Sequence, residues 1–341
     1  MAQPDIFTLT QGLISAVKAA IVPYGAGEVP IVIESPKDKS HGDLSTPVAM
    51  LLAKKLKRAP LGIAQEIVQS LKIDEGWVLE KTSLAPGFIN FKLNPGVFYS
   101  LLESCLSQGE DYGKNTQLKG RKILLEFVSA NPTGPLNVVN ARAAVFGDSI
   151  AQLVTASGGS VDREYYVNDA GNQARLFGES LEAAISRVEG TPKEAPEGGY
   201  QGAYMEDLAK EYIAAEGKKT PFNISSDRLG EWGMDRVVQW QKESLDRYGV
   251  AFDQWFSERR LLHDSGLVGE TLEKLKGMGL TYEKDGATWI KTTEYGAPKD
   301  EVLVKSNGFP AYITADIAYH LHKLQRGHTR IVNIMGPDHH G

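Results

Sequence analysis

Apolar residues recur at helical spacing over residues 5–22 (Phe7, Leu9, Leu13, Ile14, Val17, Ala20 and Ile21), which predicts an amphipathic helix there. Ile31, Ile33 and Glu34 ahead of Pro36 predict a short strand. Asp43 or Ser45 is placed to cap a helix running through PVAMLLAKKLK and stopping near Pro60, and IAQEIVQSL at 63–71 predicts another. After the Pro86-Gly87 turn, LAPGFINFKL alternates as a strand. The mixture closes a first unit over residues 1–112. A polar, Gly-containing stretch at 113–120 then serves as a linker to a second unit, 121–341.

The second unit has a different rhythm. RKILLEF at 121–127 is a nearly continuous apolar run, as a strand buried on both faces requires. A Pro/Gly-rich turn follows, then helical spacing over 141–158, then the strand VDREYYV at 161–167. Strand, helix and strand in this order form a βαβ unit and predict a doubly wound parallel sheet. The stretch 188–306 is expected as an insertion. It holds a helix at 235–250 and antiparallel strands in GATWIKT and DEVLVKS, before a last strand, IVNIMG, at 331–336. The fold class expected is therefore α/β, preceded by a small α+β domain.

Composition narrows the function. The chain has 341 residues, 42% of them hydrophobic, and a formal net charge of −6. A globally basic coat for nucleic acid is excluded, although local basic clusters are not. Lys54, Lys55, Lys57 and Arg58, with Lys37 and Lys39 nearby, form one such cluster; a solvated helix face accounts for it equally well. A single cysteine, Cys105, allows neither an internal disulfide nor a thiolate metal site and fits a reducing, cytoplasmic setting. The first residues lack the basic start of a signal peptide, and no run is expected to span a membrane. Asp338, His339 and His340 suggest a metal pair at first sight. Adjacent histidines on a strand face opposite ways, so no metal site is expected.

The segment EFVSANPTGPLNVVNAR (126–142) leaves the first parallel strand at its carboxyl end, where open α/β sheets bind ligands. Pro132, Thr133, Gly134 and Pro135 fix a loop, and the helix start beyond it offers free N–H groups to an anion. A rigid connection without a ligand explains the loop on its own as well. Glu126, Ser129 and Asn131 put polar groups at the strand end, and Tyr312 and Asp316 stand four apart, sharing a face if helical.

Ser129 to Arg142 resembles the arginyl-tRNA synthetase form of the class I His-x-Gly-His signature, Ser-x-Asn-Pro-Thr-Gly-Pro-Leu-His-Val-Gly-His-Ala-Arg. The likeness extends to SHGDLSTPVAMLLAKKL, APGFINFKL, REYYVNDAGNQ, YGVAFDQWFSE, YITADIAYH and GPDHHG, and so covers nearly the whole chain. The resemblance implies a class I synthetase-type doubly wound sheet, incomplete at the C-terminus, behind a small domain that touches tRNA. Phe88, Asn90 and Phe91 lie in the strand region of that small domain. It implies ATP-dependent activation of L-arginine and transfer to tRNA(Arg), with Mg2+ accompanying ATP and with neither DNA nor a membrane as partner. Arginine then falls to Tyr312 and Asp316 at the guanidinium and Ser129 and Asn131 at the amino-acid end, with Glu126 as a second anion and His340 as a further contact. ATP falls to Asn137, Val139, Asn140, Gly336 and His339.

The chain departs from the pattern where it matters for catalysis. Within the motif from Ala130 to Asn140, the two signature histidines are Asn137 and Asn140, and the signature glycine is Val139. A neutral amide makes a weaker bond to phosphate than a charged donor, and Val139 puts a branched side chain where adenine needs close backbone approach. No Lys-Met-Ser-Lys-like segment occurs in the sequence. A catalytically impaired, truncated relative that binds arginine or tRNA is the expected alternative to a working ligase.

Overall fold

The computed structural model describes residues 6–25, 29–191, 193–217 and 224–336, and divides into two compact units, residues 1–115 and 116–341.

In the first unit, α1 (Ile6–Ile21) buries Leu9, Leu13, Val17, Ala20 and Ile21, the stripe its periodicity announces. The segment Ile6–Tyr24 is long and apolar enough to cross a membrane by length and composition, contrary to the sequence expectation. In this fold its apolar stripe packs instead into the unit's core against Leu52, Ile63 and Phe91. Three further elements follow: β1 (Leu44–Thr46), α2 (Val48–Leu56) and α3 (Pro60–Ser70). After them come β2 (Val78–Leu84), β3 (Phe88–Leu93) and α4 (Pro95–Gln108). The sheet runs β1-β3-β2, antiparallel throughout. The strand expected at 31–34 reduces to one bridge, Glu34 to Ser45. Asp43 does not cap α2; its carboxylate accepts the Leu93 N–H at 2.8 Å, and Ser45 lies within β1. Asn90 and Phe91 are buried, so they hold the sheet together and have no surface to offer tRNA.

The second unit is built on β4 (Lys122–Glu126), α5 (Val138–Ala156), β5 (Ser160–Val167), α6 (Asn172–Val188), α7 (Ala203–Glu216) and α8 (Ser226–Arg247). It continues through β6 (Gln254–Ser257), α9 (Leu267–Gly277), β7 (Thr281–Lys284), β8 (Ala287–Ile290) and β9 (Glu301–Val304). The last elements are α10 (Tyr312–Gln325) and β10 (Arg330–Asn333). Four strands in the order β10-β4-β5-β6 pair in parallel, as the βαβ pattern predicts. The stretch 188–306 thus contains a strand of the main sheet, β6, as well as the antiparallel sheet β7-β8-β9.

Helices α6 and α8 meet at glycines. A Cβ on Gly178 would stand 1.8 Å from the Ser226 carbonyl oxygen, and one on Gly230 would stand 1.9 Å from that of Ala174. Backbone cannot yield as a flexible side chain does. Gly230→Ala is expected to lower stability by at least about 1–3 kcal/mol, the usual cost of overpacking, seen as a fall in thermal midpoint.

Candidate active site

The polypeptide leaves β4 through an unusual backbone path. Val128 and Ser129 have φ of 68° and 42°, the left-handed region that side chains rarely occupy, and such strain persists only where surroundings enforce it. Three side chains do so. The Tyr165 hydroxyl on β5 accepts from the Ala130 N–H at 3.1 Å and donates to Gln241 Oε1 at 2.9 Å. Gln241, on α8, donates from Nε2 to the carbonyls of Asn131 and Gly134 at 3.0 and 3.1 Å. Tyr204, on α7, donates to the Thr133 carbonyl at 3.0 Å. Gln241→Leu removes the donor to the Asn131 and Gly134 carbonyls and one acceptor of the Tyr165 hydroxyl, which keeps the Ala130 carbonyl at 3.3 Å. At about 0.5–1.5 kcal/mol for each hydrogen bond lost, a clear fall in the thermal midpoint is expected.

At the loop's far end, α5 begins with a reciprocal cap. Asn137 Oδ1 accepts from the backbone N–H groups of Val139 (2.9 Å) and Asn140 (3.2 Å), while Asn140 Oδ1 accepts from the Asn137 N–H at 3.0 Å. The helix start therefore does not present a full set of free donors to an anion; three backbone N–H groups are satisfied from within. Both amide oxygens are used, and the two Nδ2 groups have no partner among the described residues. Val139 is 69% exposed at this helix start.

These elements face a cleft of about 800 Å³. Glu126, Ser129, Ala130, Asn131, Asn137, Val139, Asn140, Tyr312, Asp316 and Gly336 all line it. The strand-end cluster and the α10 pair thus line one cleft. His339 and His340 lie outside the described residues.

Two expected ligands behave differently from the rest. Glu126 is nearly buried and already bonded: Lys323 Nζ contacts it, Tyr319 donates at 3.0 Å, and Ser129 Oγ donates at 3.1 Å. Ser129 Oγ also accepts from the Tyr166 N–H at 3.1 Å. Neither side chain is a free group awaiting arginine. Asp316 is different: its carboxylate is largely open to solvent, with His320 Nδ1 at 3.3 Å.

Several lining residues escaped the sequence argument: Tyr166, Glu258, Tyr319, His320 and Asn333. His320 Nε2 lies 3.1 Å from Asn333 Nδ2, and its Nδ1 lies 2.9 Å from the Asp316 carbonyl oxygen. Neutral His320 thus accepts at Nε2 and donates at Nδ1. The bond to Asp316 pushes its pKa up, against a smaller opposing effect of burial. Burial, reinforced by neighbouring carboxylates, pushes the phenols of Tyr166 and Tyr319 far up, so both remain proton donors. The spacing 312, 316, 319, 323 was the missed signal, since it marks one helix face carrying Tyr, Asp, Tyr and Lys.

A parallel sheet with its cleft at the strand ends and a Pro-Thr-Gly-Pro loop feeding a helix is the architecture of a nucleotide-binding α/β domain. The family model described as "tRNA synthetases class I (R), catalytic domain" matches residues 101–336, which fixes the class. The model "Arginyl tRNA synthetase N terminal domain" matches residues 8–93. The chain is 46% identical over 316 residues to an arginine–tRNA ligase of Caldanaerobacter subterraneus subsp. tengcongensis, covering 91% of this chain and 56% of that one. It is 44% identical to one of Shouchella clausii, covering 92% and 57%. The Thermus thermophilus arginyl-tRNA synthetase structure shares the fold, with a TM-score of 0.67 at 23% identity, covering 92% of this chain and 53% of that one. The chain belongs to the arginyl-tRNA synthetase family. It spans a little over half the length of the curated relatives it matches.

Proposed function

We propose that this cleft binds L-arginine, with Asp316 and Tyr312 at the guanidinium and Asn131 and its strand-end neighbours at the amino-acid end. The observation that carries this is the open Asp316 carboxylate facing the strand end across one cleft. A planar guanidinium seeks such an acceptor for paired N–H donors. ATP would lie along the start of α5, where the Asn137 and Asn140 amides donate to phosphate in a cleft that Gly336 also lines. In the family reaction, a carboxylate oxygen of arginine attacks the α-phosphorus of ATP and pyrophosphate leaves. The adenylate then passes its arginyl group to a hydroxyl at the tRNA 3′ end. Magnesium would arrive with the nucleotide. Among the described residues, no group of three or more His, Cys, Asp or Glu side chains is brought together that could hold a metal ion.

Adenylation is proposed to be slow, because the donors at the phosphate are neutral and Val139 crowds the nucleotide. Arginine-dependent exchange of pyrophosphate into ATP tests this: a low rate with retained arginine binding is the expected result. Exchange at an ordinary ligase rate would overturn it. In the first unit, Lys54, Lys55 and Lys57 are exposed and are proposed to make a few salt-sensitive contacts to tRNA(Arg) in the cytoplasm. Arg58 is drawn to Glu66 and contributes less.

His320 makes arginine binding pH-dependent. Protonated His320 competes for Asp316, so affinity for arginine should rise as pH climbs through the raised His320 pKa, measurable by calorimetry across neutral pH. Fold stability moves the opposite way. The contribution of a raised histidine pKa is complete below the unfolded value of about 6.5 and is lost as pH rises through the folded value.

A further inference from the structure

One stripe of α10 carries Tyr312, Asp316, Tyr319 and Lys323, and the C-cap residue Arg326 continues it, at spacings of four and three. The first two open into the cleft. The last three turn onto two carboxylates, Glu126 of β4 and Glu164 of β5, which are paired residues in the sheet register. The Tyr319 hydroxyl lies 3.0 Å from Glu126 Oε2 and 2.8 Å from Glu164 Oε1. One hydroxyl proton cannot satisfy two carboxylates. Lys323 and Arg326 supply the balance, pairing with Glu126 and Glu164 respectively. The Lys323 side chain has no exposed surface, and its Nζ also donates to Asn333 Oδ1 of β10 at 3.0 Å. Two negative and two positive charges close the cluster.

We infer that this buried cluster is a positioning clamp for arginine recognition, and that Glu126 acts through it and does not touch the ligand. A helix resting on apolar contacts alone can rotate or slide by small amounts. Charge pairs to β4 and β5, with a hydrogen bond to Asn333 of β10, hold one rotation and one height. Lys323 stands seven residues, two helical turns, beyond Asp316, so its seating on Glu126 sets where the Asp316 carboxylate points. Lys323 also neutralises Glu126, which leaves Asp316 as the acceptor offered to a guanidinium. The link to arginine rests on the proposed function; the clamp itself rests on the geometry.

The test uses the full chain with Lys323→Met, the double variant Glu126→Gln/Lys323→Met, and Tyr319→Phe. Amide hydrogen exchange is followed over residues 312–320, and arginine affinity by calorimetry. Lys323→Met leaves a carboxylate buried without its cation. It should speed exchange in α10 and weaken arginine binding, each by about tenfold or more, while α6 and α8 stay unchanged. The double variant removes the orphaned charge and should return both quantities to within about threefold of the parent. Tyr319→Phe, the gentler change, should move both in the same direction by less, and decides the matter if Lys323→Met does not fold. Unchanged exchange in α10, or faster exchange spread equally over α6 and α8, would overturn the clamp. A double variant that exchanges like the parent yet binds arginine as weakly as the single would overturn the indirect role of Glu126. If the parent binds no arginine while the exchange pattern appears, the clamp stands and the arginine assignment fails.

Discussion

Asn137→His, Val139→Gly and Asn140→His introduced together are expected to raise arginine-dependent pyrophosphate exchange by about a hundredfold. A donor preorganised toward charge developing on phosphate is worth ~10²–10³ in rate. The present residues direct their amide oxygens inward, to backbone N–H groups at the start of α5. Histidines there would release those N–H groups and place cationic donors in the cleft, and glycine would clear the branched side chain. The same change removes a cap, which costs about 1 kcal/mol, so the thermal midpoint should fall by a few degrees while activity rises. Opposite movement of stability and activity is the signature of this account. A triple variant with unchanged exchange would show that the signature does not limit the reaction.

The second large effect is expected at Asp316. Asp316→Asn keeps the shape of the side chain and removes its charge, so paired charge-assisted bonds to a guanidinium become weaker neutral ones. At about 1.5–3 kcal/mol for a hydrogen bond to a charged group, arginine affinity should fall about a hundredfold. Stability should scarcely change, because the Asp316 side chain is largely exposed and its side-chain partner is His320. The pH dependence assigned to His320 should vanish with it. Glu126→Gln, by contrast, should act through α10 and on stability, because that carboxylate is sealed by Lys323 and Tyr319.

Much of the site could be read from the sequence because its residues cluster locally. The Pro-Thr-Gly-Pro segment constrains its own backbone, and β4 announces itself as an unbroken apolar run. Tyr312 and Asp316 share a face by spacing alone. What escaped was non-local. Glu126 looked like a free anion because nothing nearby in the chain reveals Lys323, which lies 197 residues away. Gln241, which ties down the loop from α8, is an unremarked polar residue in the sequence until its two carbonyl partners are seen. Helices escaped as well, α4 and α6 among them. α4 carries exposed Phe98, Tyr99, Leu102 and Leu106 as well as its inward face, which blurs its periodicity. α6 is buried largely through Gly, Ala and Ser, small residues that carry little hydrophobic signal but permit its close approach to α8. The Asn137 and Asn140 substitutions were plain in the sequence as losses; that they form a reciprocal cap became visible only in the folded backbone.

The most direct test is a pair of calorimetric titrations of the parent chain, one with L-arginine and one with L-citrulline, which replaces the guanidinium by an uncharged urea of nearly the same shape. A carboxylate at 316 facing polar groups at the end of β4 predicts that arginine binds about a hundredfold more tightly than citrulline. Equal binding of the two, or heat from neither, would contradict the assignment of this cleft to a guanidinium cation.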